Sequence, residues 1–311
     1  MVQMVVQQPL VTEDHYDIDF EPRSYPYQVS GHVEISSPDD IHICKPCSNR
    51  ELSFYCSLPS SLKEHVPKFC AYVQGSSGFL HMSPSSCSTC RSGLHMRNLI
   101  SHTQRISQRS LSKGTSPEMK RRFEKNRNCI VLSNLSAPFS HPCIADFKLG
   151  IRQYGEDANE QKRISQDEKC RLSTSAKLGV RLGGMRYLSR ESNEYITIDK
   201  YEGRKMNEKE LVEKMADFIV ESKIIDQVIQ QIDGIIESLK SCNGLRLFGV
   251  SLLVVYDADD SSDRPSVEVK LVDFANATYP GFMNDSVSYD SPDYGVILGL
   301  TTLRKILSDL R

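Results

Sequence analysis

The chain has 311 residues and a formal net charge of -2, from 38 Lys and Arg against 40 Asp and Glu. That length suits one two-lobed domain or two small ones, and the near-neutral balance excludes bulk charge as a means of holding a polyanion; a polyphosphate site must be a local cluster of Lys and Arg. No run of about eighteen apolar residues is present to span a bilayer, and Met1 to Pro9 lacks the basic start and apolar stretch of a secretory leader.

Residues 1–24 are polar and are expected to be flexible. From Tyr25 the pattern turns strand-like, over Gln28-Val29-Ser30-Gly31-His32-Val33-Glu34-Ile35 and again over Ile41-His42-Ile43-Cys44-Lys45, with Pro38-Asp39-Asp40 as the turn. Arg50 to Leu58 reads as a short helix carrying Glu51, Phe54 and Tyr55. The stretch 75–118 is Ser-rich without a sustained apolar period, which predicts a disordered insertion. The basic cluster Lys120-Arg121-Arg122, Lys125 and Arg127 reads as a solvated helix face, with a nuclear-localisation or acidic-partner segment as the functional alternative.

Ten cysteines, with no secretory leader expected, predict reduced thiols. Cys44-x-x-Cys47 and Cys87-x-x-Cys90 have the spacing of zinc-binding pairs. The first pair flanks Lys45, which has another use, and the second lies in the Ser-rich stretch, so no structural zinc is expected.

Cys129 to Leu132 is a short apolar strand that leaves through Ser133-Asn134-Leu135. Then comes Pro142-Cys143-Ile144-Ala145-Asp146-Phe147-Lys148-Leu149-Gly150. In an extended segment alternate side chains share a face, so Asp146 and Lys148 point the same way. Phosphoryl transfer uses such a pair: the cation stabilises charge on the moving phosphate, and the carboxylate holds a sugar hydroxyl or orients the attacking one. Asp157 to Arg171 looks helical, with Asp157 as its candidate cap.

Asn207-Glu208-Lys209-Glu210 forms a capping box before Leu211, Met215, Phe218 and Ile219. Ile225, Val228, Ile229, Ile232, Ile235, Ile236 and Leu239 mark an amphipathic core helix that Asn243-Gly244 ends. Ser251 to Asp257 is a buried strand, Asp259 to Pro265 a turn, and Val267, Val269, Leu271 and Asp273 alternate as a hairpin partner. Asp273 thus aligns with core residues at a strand end, where a metal ion or cation removes the cost of its buried charge. Gly295 to Leu310 reads as a final helix.

The nine residues from Pro142 match Pro-x-x-x-Asp-x-Lys-x-Gly, and the sequence resembles the inositol polyphosphate kinases. Ile151-Arg152-Gln153-Tyr154-Gly155-Glu156-Asp157-Ala158 and Ser173 to Arg181 resemble the inositol hexakisphosphate kinase branch. Val272-Asp273-Phe274-Ala275, Lys200-Tyr201-x-Gly203-Arg204 and the Pro-Asp-x-Gly stretch within Tyr289 to Gly299 are similar to further segments of that family. The resemblance covers about residues 25–74 and 128–311.

It implies an α+β, two-lobed, protein-kinase-like fold with ATP in the interlobe cleft. An N-terminal lobe would run over 25–135 and a catalytic and inositol phosphate-binding lobe over 136–311. The implied cofactors are ATP and Mg²⁺. Lys45 and Glu51 resemble the strand lysine and helix glutamate of kinases, and Ser133-Asn134-Leu135 aligns with the hinge that binds adenine through backbone groups, with Ser where the family often has Glu. Asp273 is the implied metal ligand, assisted by Ser251; Lys148 stabilises the transferring phosphate, and Asp146 orients the acceptor or holds the ribose. The acceptor cradle is implied to include Pro142, Lys148, Gly150, Arg152, Lys162, Arg163, Gln166, Lys169 and Asn276, with charge added by Arg181. Glu168 and Asn276 depart from the family, which tends to have a basic residue and a His there.

The implied reaction is phosphoryl transfer from MgATP to inositol hexakisphosphate, giving a diphosphoinositol pentakisphosphate. The alternatives are a multikinase or trisphosphate 3-kinase acting on lower inositol phosphates, although the long insertion of the trisphosphate 3-kinases after the signature is absent, and an inactive inositol phosphate-binding scaffold. Neither nucleic acid nor membrane is an expected partner, and the expected location is cytoplasmic or nuclear.

Overall fold

The computed structural model describes residues 23–31, 33–73, 80–83, 87, 128–259 and 266–311. The polar start up to residue 22, most of the Ser-rich stretch, the basic cluster at 120–127, Cys90 and the turn at 260–265 lie outside the described residues. The chain divides into two compact units. The first holds residues up to Pro26, His32–Cys56 and Lys68–Asn134; the second holds Tyr27–Gly31, Ser57–Pro67 and Leu135–Arg311. Both combine helices with antiparallel sheet, the expected α+β class. No described helix is long and apolar enough to cross a membrane.

The first unit is built on a six-stranded antiparallel sheet in the order β1-β2-β3-β6-β4-β5. Its strands are β1 (Arg23–Ser24), β2 (Ser36–Ser37), β3 (His42–Cys47), β4 (Phe69–Val73), β5 (Leu80–Met82) and β6 (Asn128–Ser133). Alternation along β3 buries His42 and Cys44 and leaves Lys45 half-buried on the opposite face. Small side chains fill the core on the His42 and Cys44 face: Cys44, Cys70, Ala71, Cys129 and Val131. Helix α1 (Asn49–Cys56) starts where the Ser48 hydroxyl accepts the Glu51 backbone N–H at 3.2 Å, and it buries Glu51, Leu52, Phe54 and Tyr55.

The strand expected over 28–35 does not form. Tyr27 to Gly31 folds with the second unit, Gly31 takes φ +98°, and after Ser24 strand pairing resumes only at Ser36. The apolar alternation of this segment serves packing instead: a Cβ on Gly184 would stand 2.0 Å from the Val29 carbonyl oxygen, and Tyr27 and Val29 pack against Phe139, Ile144 and Val255.

The second unit is built on a five-stranded antiparallel sheet, β12-β11-β7-β8-β9. Its strands are β7 (Pro142–Leu149), β8 (Val180–Leu188), β9 (Tyr195–Ile198), β11 (Ser251–Asp257) and β12 (Val267–Val272). The central strand β7 is buried along nearly its whole length, which accounts for a near-continuous apolar run broken only by Asp146 and Lys148. Pro142 opens it, the position where a missing N–H is tolerated. A short ribbon pairs β10 (Arg246–Leu247) with β13 (Ala277–Thr278).

The helices are α2 (Glu160–Arg171), α3 (Ser175–Leu178), α4 (Lys200–Lys205), α5 (Glu208–Phe218), α6 (Ser222–Lys240) and α7 (Tyr294–Leu310). The expected capping box at Asn207 and Glu210 is present, and a second one joins Asp199 and Glu202 at the start of α4. Helix α6 buries Ile224, Ile225, Val228, Ile232, Ile235, Ile236 and Leu239. Each such side chain contributes about 1.5–3 kcal/mol by leaving water. Helix α2 is capped by Asn159, whose side chain accepts the Lys162 N–H, and not by the expected Asp157, because the chain is still in a turn at Glu156 and Asp157.

Candidate active site

Strand β7 places Asp146 and Lys148 two residues apart on one face. Lys148 Nζ donates to Asp273 Oδ2 at 2.9 Å and to the Gly249 carbonyl at 3.4 Å. Burial alone lowers the pKa of the ammonium, but the carboxylates of Asp273 and Asp146 outweigh it, and the net shift is upward. Asp273 follows β12 with φ +74°, a left-handed backbone that is sparse for a residue with a side chain. Register sets Ser251, the first residue of β11, opposite both Lys148 and Val272. Ser251 is fully buried, and its hydroxyl has no hydrogen-bond partner among the described residues.

Asp146 is 4% exposed, so its charge needs compensation. Its Oδ2 accepts from the Ser30 hydroxyl, while its Oδ1 has no hydrogen-bond partner among the described residues. A local irregularity makes room for the carboxylate. The β7–β8 register slips between Asp146 and Phe147, and Gly183 is the extra residue on β8. A Cβ on Gly183 would stand 2.6 Å from Asp146 Oδ1. Gly150 ends the motif at φ +88°, with its N–H on the Gly179 carbonyl at 2.7 Å, so its part in the site is the turn itself.

The acceptor cradle implied by the sequence divides in two. Lys162 reaches Asn276 Oδ1 at 3.3 Å, and Gln166 and Lys169 follow on the same face of α2. Arg152 and Arg163 are otherwise engaged. Arg152 binds Glu156 at 2.9 Å and lies over the rings of Phe248 and Tyr154, at 4.0 and 4.5 Å. Arg163 donates to the Ala158 and Glu156 carbonyls at 2.8 and 3.0 Å. These guanidiniums brace the turn before α2. Pro142 stands six residues before Lys148 on an extended strand, about 20 Å away, too far to share an inositol ring with it. Glu168 is held by Arg171 at 2.6 and 2.7 Å, which offsets its charge within the helix.

A cation cluster supplies what those residues do not. Burial, reinforced by the neighbouring charges of Arg204 and Arg181, holds the Lys169 pKa below the ordinary lysine value. Arg181 is lowered by burial and by Arg204. The Arg204 Nε is buried without a hydrogen-bond partner among the described residues. Lys169 and Arg181, both lowered by the charge of Arg204, form with it a cation cluster suited to a polyanion. Helix α4 brings Arg204 there because Gly203 packs on β8, where a Cβ would meet the Leu182 carbonyl at 2.6 Å. The only sequence signal for Arg204 is the Lys-Tyr-x-Gly-Arg segment.

In the first unit, Lys45 Nζ donates to Glu51 Oε1 at 2.6 Å, a half-buried lysine on a buried carboxylate. The Ser133 and Asn134 backbone N–H groups donate to the Lys68 and Ile41 carbonyls at 3.0 and 2.8 Å, so neither is free for adenine. Leu135 begins the main body of the second unit. None of the described cysteines forms a disulfide.

A model of the family described as inositol polyphosphate kinase matches residues 129–308. Human inositol hexakisphosphate kinase 3 is 26% identical over a 415-residue alignment covering 99% of each chain. Rat inositol hexakisphosphate kinase 1 is 25% identical over 402 residues, covering 92% of each. Among solved structures, the inositol phosphate multikinase of S. cerevisiae, in complex with ADP and Mn²⁺, matches with a TM-score of 0.59 at 19% identity, over 86% of this chain and 98% of that one. Fold and family together define a kinase of inositol phosphates. The chain belongs to the inositol polyphosphate kinase family, whose model spans more than half of it.

Proposed function

We propose that the protein transfers the γ-phosphoryl group of ATP to a phosphate of inositol hexakisphosphate, making a diphosphoinositol pentakisphosphate. The observation that carries this reading is the Lys148–Asp273 pair beside buried Asp146, with Lys169, Arg181 and Arg204 gathered in the same unit. The curated relatives named as inositol hexakisphosphate kinases support the choice of substrate.

The donor set fits a divalent ion. Asp273 offers a carboxylate and Ser251 an orphaned buried hydroxyl, both hard oxygen ligands suited to Mg²⁺. Such an ion, when bound, neutralises charge on the nucleotide phosphates. Lys45, fixed by Glu51, would hold the nucleotide phosphates, and Ser133 to Leu135 would border the adenine.

An acceptor phosphate oxygen attacks the γ-phosphorus, a new P–O bond forms, the bond to ADP breaks, and its electron pair leaves on ADP. Lys148 stabilises charge on the group in transit. An acceptor phosphate is already ionised near neutral pH, so no base has to remove a proton. That leaves Asp146 to position groups through its unsatisfied oxygen, which suits a carboxylate held by Ser30. A cytoplasmic or nuclear location is part of the proposal, checked by imaging a tagged copy.

Phosphorus NMR of the protein with MgATP and inositol hexakisphosphate tests the reading. A new diphosphate resonance is expected. Consumption of inositol tris- or tetrakisphosphate alone would move the substrate to lower inositol phosphates. No turnover by folded protein would leave an inositol phosphate-binding scaffold.

A further inference from the structure

We propose that the first unit binds a zinc ion through His42, Cys70 and Cys87. His42 lies on β3, Cys70 on β4, and Cys87 follows β5. Their ligand atoms all lie within 4.8 Å of one another. His42 Nε2 stands 3.4 Å from Cys87 Sγ, and Cys70 Sγ lies within 4.8 Å of both. Zinc bonds of about 2.0 Å to nitrogen and 2.3 Å to sulfur, at tetrahedral angles, set N and S roughly 3.5 Å apart and two S atoms roughly 3.8 Å apart. The three side chains therefore need only a small contraction.

The far side of the imidazole points to the same use. Asp39 brackets His42 Nδ1, with its two oxygens at 3.0 and 2.9 Å. Its Oδ1 is fixed in turn by the backbone N–H groups of Ile41 and His42 at 2.9 and 2.8 Å. A carboxylate on Nδ1 fixes the ring so that Nε2 faces the thiols. Metal-binding histidines are held in this way, by a carboxylate on the nitrogen that faces away from the ion.

The chemistry selects the metal. One imidazole and two thiolates disfavour Mg²⁺ and Ca²⁺ and suit zinc, with water able to fill a fourth position. Binding sends the two thiol protons, and any proton on His42 Nε2, to solvent, and the ion's charge balances the thiolates. His42 and Cys70 are fully buried, so the centre is shielded, and it ties the chain beyond β5 to β3 across 45 residues. Neither paired-cysteine motif of the sequence makes this cluster. Cys44 faces Cys129 instead, and only Cys87 of the second pair is a described residue.

The test uses the full chain, expressed with zinc and purified without chelator. Metal analysis should find about one zinc per chain. Replacement by Co²⁺ should give sulfur-to-cobalt charge-transfer absorption and tetrahedral ligand-field bands. Cys87→Ser and Cys70→Ser should abolish both signals, whereas Cys44→Ser and Cys129→Ser keep them. Asp39→Asn should weaken zinc binding about 10- to 100-fold. Cys87 is only half-buried, so Cys87→Ser is the variant expected to stay folded, checked by circular dichroism. Folded wild-type protein that holds no zinc and shows no charge-transfer band with Co²⁺ would overturn the proposal. So would wild-type zinc content in Cys87→Ser, or a Cys70–Cys87 disulfide in the non-reduced protein.

Discussion

The Ser30 hydroxyl donates to the Asp146 carboxylate across 116 residues of sequence. Ser30 belongs to the short Tyr27–Gly31 segment of the second unit, so a piece of chain far upstream holds the motif carboxylate in place. Ser30→Ala removes a hydrogen bond to a buried charge and should cost about 1.5–3 kcal/mol of stability. Gly183→Ala, which drives a Cβ into the same carboxylate, should cost about 1–3 kcal/mol. Urea unfolding midpoints check both, and unchanged midpoints would remove Asp146 from the folding account.

Lys148→Met should lower kcat by about 10²–10³-fold, the loss expected when one charge-stabilising donor is removed. The fold should persist, because β7 keeps its backbone pairing on both sides. Wild-type turnover in this variant would end the proposed mechanism.

The same lysine gives a pH signature in stability. Its folded pKa is raised, because Asp273 and Asp146 outweigh the opposing effect of burial. A raised cation pKa adds stability that is complete below the unfolded lysine value of about 10.4 and is lost as pH rises through the folded value. The stability gap between wild type and Lys148→Met should therefore shrink as pH climbs beyond about 10.4. Denaturant titrations at neutral and strongly alkaline pH measure it, and a gap that widens would contradict the sign.

Asp273→Asn keeps a side chain that tolerates positive φ, so the φ +74° turn should survive. Activity should fall at least about 100-fold, and added divalent ion should not restore it. An unchanged dependence on divalent ion would take the ligand role away from Asp273.

Arg204→Ala should raise the KM for inositol hexakisphosphate about tenfold or more, a loss of about 1.4 kcal/mol or more in binding. The KM for ATP should hold, which separates a substrate contact from a general fold defect. Equal changes in both constants would argue that Arg204 is structural.

Sequence pattern revealed the elements whose local chemistry matches their packing. The alternation of β11 and β12, the Asn207 capping box and the apolar stripe of α6 all lie where periodicity set them. It also set a strand at 28–35 that does not form, because apolar alternation there serves contact with Gly184 and the Phe139 cluster instead of backbone pairing. The Asp146–Lys148 pair could be read directly, since two positions on one strand share a face. Arg152 and Arg163 could not be sorted from Lys162 and Lys169 in advance. What separates them is which cations meet Glu156, the Ala158 carbonyl and aromatic faces, and those partners are set by tertiary structure.

Helix α2 buries only Cys170, yet it carries Lys162, Gln166 and Lys169. A helix that gives so little to the core can be rewritten on its surface without unfolding the protein. Under the proposed function, swapping a lysine for a neutral or acidic residue there should change how many phosphates can be gripped while melting behaviour stays the same. Under that proposal, substrate range and thermal robustness are separately adjustable, because a helix that helps to set the first gives little to the second.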